Sequence, residues 1–247
     1  MVMERPMPQG GTGDGSLVHR AMRAVTDHIR ERSLRVGESL PGEAHFAGEL
    51  GVSRAVMREA FGALAALRLI DVANGRKPRV AAMDGSVIAT SLNHAVGTAQ
   101  ITVPEVWDVR RTIELRTAAL AATSRTAEEA ARIVGLAEAM ARDADNMVEM
   151  TRHDIALHNA IALASHNALF VQIVGSFGPL MEVAVPTAWR TRTTPEQRST
   201  MIDQHRAIAL AIQEKDPDAA VAAMDGHFDA TVGDILVMTK APAVAPI

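Results

Sequence analysis

The sequence predicts a mainly α-helical protein in two parts, a small N-terminal unit of helices closed by a hairpin and a larger C-terminal bundle of helices alone. Three observations carry this. Between Leu40 and Leu67 apolar residues recur at spacings of three and four, and the stretch Leu69–Ala81 then reads as two short strands around Asn74-Gly75. Beyond residue 101, helix-start signals follow one another: Thr102-Val-Pro-Glu105, Thr126-Ala-Glu-Glu129 and Thr194-Pro-Glu-Gln197 have the capping-box pattern, and Asp216-Pro217 is a cap followed by proline. Charge is also divided: residues 16–82 hold eleven Lys/Arg against seven Asp/Glu, leaving that segment at +4 and the rest of a chain of net charge −4 at −8. A basic reader on an acidic body is the simplest account.

In the first part, a helix is expected from Ser16 to Arg32, with Val18, Met22, Val25 and Ile29 as its stripe. Residues 34–40 form a turn or short strand. Phe46, Ala47 and Leu50 give the inner face of a short helix, Gly51 supplies the turn, and Ser53 is placed to cap the next helix. There Met57, Ala60, Phe61, Leu64 and Leu67 face a core, while Arg54 and Arg58 lie one turn apart on another face. Such a helix fits a DNA major groove, where guanidinium forks meet guanine edges or phosphates. The hairpin tip carries Arg76, Lys77 and Arg79, the shape of a wing beside a recognition helix.

The remaining boundaries are a disordered tail at 1–15, a winged helix-turn-helix domain at 16–82, a linker at 83–103 with a short helix near Val87–Leu92, a helical domain at 104–240 and a frayed tail at 241–247. Six helices are expected in the second domain, near 104–122, 126–143, 147–164, 167–184, 195–214 and 217–239, with Pro179 kinking the fourth and Asn167 capping its start. The absence of cysteine excludes disulfides, thiolate catalysis and any Cys-ligated metal, and fits a reducing compartment. No apolar run approaches the length of a membrane span, and the start MVMERPMPQGGTGDG lacks a signal-peptide pattern, so a cytoplasmic protein with no membrane partner is expected.

In the second domain the ionisable residues fall on the apolar stripes. These read Met147, Met150, Asp154, His158, Ile161 on the third expected helix, Ile202, His205, Ala209, Ile212 on the fifth, and Ala220, Met224, His227, Thr231, Ile235 on the sixth. Burying an unpaired carboxylate costs several kcal/mol or neutralises it, so a partner is needed. Asp154 and His158 at i, i+4 share a helix face, as two ligands of one metal do. With His205 and His227 they make a three-His, one-carboxylate set suited to Zn²⁺, Ni²⁺, Mn²⁺, Fe²⁺ or Co²⁺, Zn²⁺ foremost. His153 and His166 lack stripe positions, and no buried general base beside the set stands out from the pattern.

Together these residues resemble the GntR family of bacterial transcription regulators, in its FadR-like branch with an FCD effector domain. The resemblance spans residues 16–240 and rests on Leu40-Pro41, Glu43, Gly51-Val52-Ser53-Arg54, Arg58-Glu59, Leu64, Gly75 and Val80, then Arg110, Glu114, Asp154-x-x-x-His158, Asn167, His205 and His227. It implies a homodimer on a palindromic DNA operator, with Ser53, Arg54, Ala55 and Arg58 of the recognition helix and Asn74, Gly75, Arg76, Lys77 and Arg79 of the wing at the DNA. It implies Asp154, His158, His205 and His227 as metal ligands, and Arg110, Glu114 and Asn167 at the cavity of a small organic acid; the other reading of Arg110 is an i, i+4 ion pair with Glu114. Two departures alter the DNA side: Ala44 stands where many members have arginine, and Ala55 and Val56 where polar residues are common. The function expected is a metabolite-responsive repressor. Its rivals are a hydrolase using the metal to activate water, a regulator that senses the metal itself, and a purely structural metal.

Overall fold

Local capping accounts for most helix starts in the computed structural model, which describes residues 16–238. The tails expected at 1–15 and 241–247 lie outside the described residues. The chain divides into two units between Asp84 and Gly85.

The first unit runs α1 (Leu17–Glu31), α2 (Glu43–Leu50), α3 (Arg54–Ala66), β1 (Ile70–Asp71) and β2 (Arg79–Val80). Gly51 ends α2 at φ +64°, a left-handed conformation that costs glycine little. Two residues on, the Ser53 hydroxyl accepts from Val56 N at 3.2 Å and starts α3. Ala21 and Val25 of α1, Phe46 of α2, and Met57, Ala60, Phe61 and Leu64 of α3 close a core with Leu40 and Ile70. Leu67, on the stripe by spacing, is instead the C-cap of α3 and 46% exposed. The strands pair antiparallel, Ile70 with Val80 and Asp71 with Arg79. Backbone from residues 37–40 joins them, Leu40 N donating to Pro78 O and Val80 N to Glu38 O. The strands are shorter than the expected Leu69–Val72 and Arg79–Ala81: pairing stops at Asp71, and residues 72–78 form the loop, in which Gly75, at φ +71°, lets Arg76 N reach Ala73 O. Pro78 has no N–H to extend the ladder, and its buried ring anchors the loop's end.

The second unit contains α4 (Ser86–Gly97), α5 (Val103–Ser124), α6 (Ala127–Arg142), α7 (Met147–Ala164), α8 (Ala168–Ser176), α9 (Gly178–Thr191), α10 (Pro195–Gln213) and α11 (Pro217–Met238). Reciprocal capping boxes start α5, α6 and α10, while Asn146, Asn167 and Asp216 cap α7, α8 and α11. Helix α5 packs against α7, α10 and α11, and α6 lies across α7 and α10. Trp107, Leu157, Ile161, Ile208, Ile212, Met224 and Phe228 are among the side chains buried between them.

Two expectations change. The short helix expected near Val87–Leu92 is there but extends over Ser86–Gly97, so the segment 83–103 is mostly helix: α4 packs on α8 and α9, with Ala89 buried and Leu92 and Val96 half-buried. Its scattered Ser, Thr and Asn hid the helix's full length. A Cβ on Gly85, at its start, would stand 2.6 Å from Gln172 O of α8, so that position requires glycine. The fourth expected helix, 167–184, is two helices: it breaks at Phe177 and bends by 53° next to Pro179, the site of the expected kink, and continues beyond 184 to Thr191, with Pro179 in the first turn of α9. Among the described residues no single helix is long and apolar enough to cross a membrane.

Phe61 is 1% exposed and contacts Phe46 at 6.0 Å between ring centres. Phe61→Ala is expected to destabilise the first unit by about 3–5 kcal/mol, read as a lower urea midpoint by circular dichroism.

Candidate metal and effector site, and candidate DNA interface

Helical periodicity puts Asp154 and His158 on one inward face of α7, and α10 and α11 bring His205 and His227 to the same place. All four are buried, His205 completely. Ring centres lie 4.4 Å apart for His205 and His227, 5.3 Å for His158 and His227, and 5.9 Å for His158 and His205. One nitrogen from each of the three falls within 4.8 Å of the others, close enough to hold one metal ion.

The hydrogen bonds fix which nitrogens face inward. His205 Nδ1 lies 2.8 Å from Met201 O. A carbonyl only accepts, so Nδ1 carries the proton and a neutral His205 presents a lone pair at Nε2. That lone pair faces Asp154 Oδ1 at 3.2 Å without hydrogen-bond geometry. His158 is arranged alike: Nδ1 meets Glu114 Oε2, and Nε2 is buried with no partner among the described residues. Two inward lone pairs beside a carboxylate require a proton or a cation between them. Burial, then repulsion from His205 and His158, holds His227 well below the ordinary histidine range, and the neutral form is the one that ligates. With a proton rather than a cation between the lone pairs, burial, which alone would raise the Asp154 carboxyl, is outweighed by a hydrogen bond from protonated His205 and by the positive charge of the surrounding imidazoles, which hold it below the usual carboxylate range. The group whose atoms come within 4.8 Å of one another is the three imidazoles, a donor set that fits one divalent ion; Asp154, expected as the fourth ligand, lies beside His205 and outside that group.

Helix α5 adds the second layer. Glu114 is 1% exposed and takes Arg110 Nε at 2.6 Å on one oxygen and His158 on the other. Burial would raise it, but Arg110 and His158 hold it down to about 2. A carboxylate on the far nitrogen of a ligand histidine fixes its tautomer and orientation. Glu114, expected at the cavity, is not among its lining residues and instead joins Arg110 to His158. Arg110 contacts Met181 and Glu114, and its other N–H groups bond no described residue. It walls a cavity of about 30 Å³ with Trp107, Asp154, His158, Trp189, Arg192 and His227 among others. A groove of about 530 Å³ on the surface of α7 and α9 holds no member of the cluster.

Asn167 is not brought here: it is exposed, its side chain accepts from Leu169 N and Phe170 N, and it serves only as a cap. His153, off the stripe, is buried all the same, with Nε2 2.8 Å from Asp143 Oδ2. Trp107, Trp189 and Arg192, which no sequence motif singles out, also line the cavity. For α5 the signal was available, since Trp107, Arg110, Glu114, Ala118 and Ala121 recur at three and four.

In the first unit Arg54, Ala55 and Arg58 are exposed along α3, with Arg58 Nε 3.9 Å from Glu43. Ser53 lies exposed at the helix start. Asn74, Gly75, Arg76 and Lys77 are exposed in the wing loop, whereas Arg79, also exposed, spends one Nη on Gly37 O at 2.9 Å.

Family models match both units: "Bacterial regulatory proteins, gntR family" over residues 17–80, and the FCD domain over residues 105–230. The chain belongs to the GntR family of regulators that carry an FCD domain. The Glc operon transcriptional activator of Escherichia coli K12 is 32% identical over 200 residues, covering 78% of this chain and 79% of that protein. The transcriptional repressor NanR of Escherichia coli K12 is 27% identical over 209 residues, covering 81% and 77%. In fold, a GntR protein of Streptococcus agalactiae superposes with TM-score 0.62 at 22% identity, over 86% of this chain and 97% of that one. Membership makes this GntR protein a DNA-binding transcriptional regulator with an effector-binding domain, and sets it apart from enzymes.

If the inward lone pairs hold a metal, added Zn²⁺ or Mn²⁺ raises the melting temperature and His205→Ala abolishes the rise. Glu114→Gln is expected to weaken metal affinity by about 10- to 100-fold, measured by competition with a chromophoric chelator; unchanged affinity would remove its positioning role.

Proposed function

We propose that this regulator is a metabolite-responsive repressor that acts in the cytoplasm as a homodimer on a palindromic operator, and that a divalent metal and a small organic acid set its DNA affinity. The observation that carries the reading is a group of three buried imidazoles of which two, His158 and His227, line one small cavity together with the ionised carboxylate of Asp154 and the Arg110 guanidinium, which has uncommitted N–H groups. A bound metal would supply Lewis-acid coordination for an acid's oxygen atoms. Arg110 presents a planar fork suited to a carboxylate. Because Glu114 joins Arg110 to His158, the fork and the ligand histidine are oriented by a single side chain.

On the DNA side, α3 enters the major groove with Arg54 and Arg58, Ser53 and Ala55 lie at its leading end, and Arg76 and Lys77 reach from the wing with Asn74 and Gly75 beside them. Ala55 and Val56 offer no hydrogen bond to bases, so Arg54 and Arg58 carry more of the sequence reading. Two half-sites engaged together multiply affinity, so a modest change in the spacing of two readers releases the operator. The acid need only prefer the released arrangement for this coupling to operate.

Arg58→Ala is expected to weaken binding to the protein's own upstream DNA by about 1–3 kcal/mol per half-site, measured by fluorescence anisotropy, with fold and metal content retained. Wild-type affinity at moderate salt would remove α3 as the recognition helix. Arg110→Ala is expected to keep metal and DNA binding and lose the response to acids that shift the wild-type melting curve. An acid that tightens DNA binding would overturn the repressor mode.

A further inference from the structure

Trp107 lies three residues before Arg110 on α5, so the two share a face. The Arg110 guanidinium carbon sits 4.9 Å from the centre of its ring. The indole walls the cavity and is only 6% exposed, yet its Nε1–H has no acceptor among the described residues. An indole nitrogen can only donate, and a buried donor without an acceptor is uncommon in folded proteins. Phenylalanine would fill nearly the same space and stack under Arg110 without leaving a donor unmet.

We propose that Trp107 is the specificity-determining residue of the effector site, donating its Nε1–H to a neutral oxygen that the effector carries beside its carboxylate. This rests on the reading that Arg110 and the metal receive the carboxylate. Because Trp107 and Arg110 are neighbours on one helix face, the two oxygen functions they recognise are neighbours in the ligand. The cavity of about 30 Å³ admits little more than a pair of waters before its walls move. Trp189, Met150, Met201 and Val185 complete its apolar side. The ligand class that the adjacency of Trp107 and Arg110 points to is a 2-hydroxy or 2-oxo acid.

Lactate, pyruvate and propionate share a carbon skeleton and differ only at the position beside the carboxylate, so they serve as probes. Titration calorimetry on the full chain loaded with Zn²⁺ should show lactate or pyruvate binding about tenfold more tightly than propionate. Trp107→Phe should bring the oxygenated acids down to the propionate level. A wild-type preference that survives in Trp107→Phe would mean that the metal alone reads the second oxygen, and would overturn the assignment. An equal loss for all three acids would assign Trp107 to packing and overturn it too, as would failure of all three to bind the wild type. The underlying site is checked separately by the metal-induced rise in melting temperature, expected in both wild type and Trp107→Phe. Absence of that rise in the wild type overturns the metal site itself and the assignment with it; its presence without acid binding overturns the assignment alone.

Discussion

The second unit is organised around a cost: Asp154, His158, His205, His227, Arg110 and Glu114 are all withdrawn from water into one helical core. An isolated ionised group in such a place is destabilising by several kcal/mol, and removing one partner from a buried pair leaves the other uncompensated. The helices meet this cost with specific pairings. Glu114 is shared between Arg110 and His158, Asp154 faces His205, and His205 is tied to its own helix through Met201 O. What these pairings leave over is a set of lone pairs aimed at a common point. A metal there would convert an unfavourable burial into binding energy, and that energy would count as folding energy.

This arrangement also explains why ligand recognition and helix packing are hard to separate in the bundle. Each polar side chain of the cluster comes from a helix whose other inward residues form the hydrophobic core: Trp107 and Ala118 on α5, Leu157 and Ile161 on α7, Ile208 and Ile212 on α10, Met224 and Phe228 on α11. Close-packed side chains do not deform continuously. A ligand that pulls on Arg110 or on a histidine therefore acts on a whole helix. Helix α9 supplies Val185, Ala188 and Trp189 to the cavity and packs against α4, the helix that begins immediately after the division between the units.

The reader unit meets a different constraint. It is small, and its core depends on a few large side chains, Phe46, Phe61, Met57 and Leu64, with the backbone of residues 37–40 completing the wing sheet. Buried residues of α3 fix the helix's rotation, and the same rotation exposes Arg54 and Arg58. Presentation of the basic face thus follows from burial of the apolar one. Arg79 shows the limit of reading charge alone, since its guanidinium is partly committed to Gly37 O.

Helix starts were legible because they are set by neighbours in the chain: Thr102 with Glu105, Thr126 with Glu129, Thr194 with Gln197, and Ser53 before α3. So was the inward face of α7, because Asp154 and His158 are one turn apart whatever surrounds them. Tertiary structure alone decided the rest. Asn167 matched the family pattern yet lies at an exposed cap, whereas Glu114 is joined to His158 across two helices. The full length of α4, which packs on α8 and α9, and the bracing of the wing strands by residues 37–40 depend likewise on contacts between segments far apart in the chain. Periodicity determines which residues of a helix point the same way, but which neighbour they meet is settled only when helices pack, because that choice minimises buried cost over the whole core.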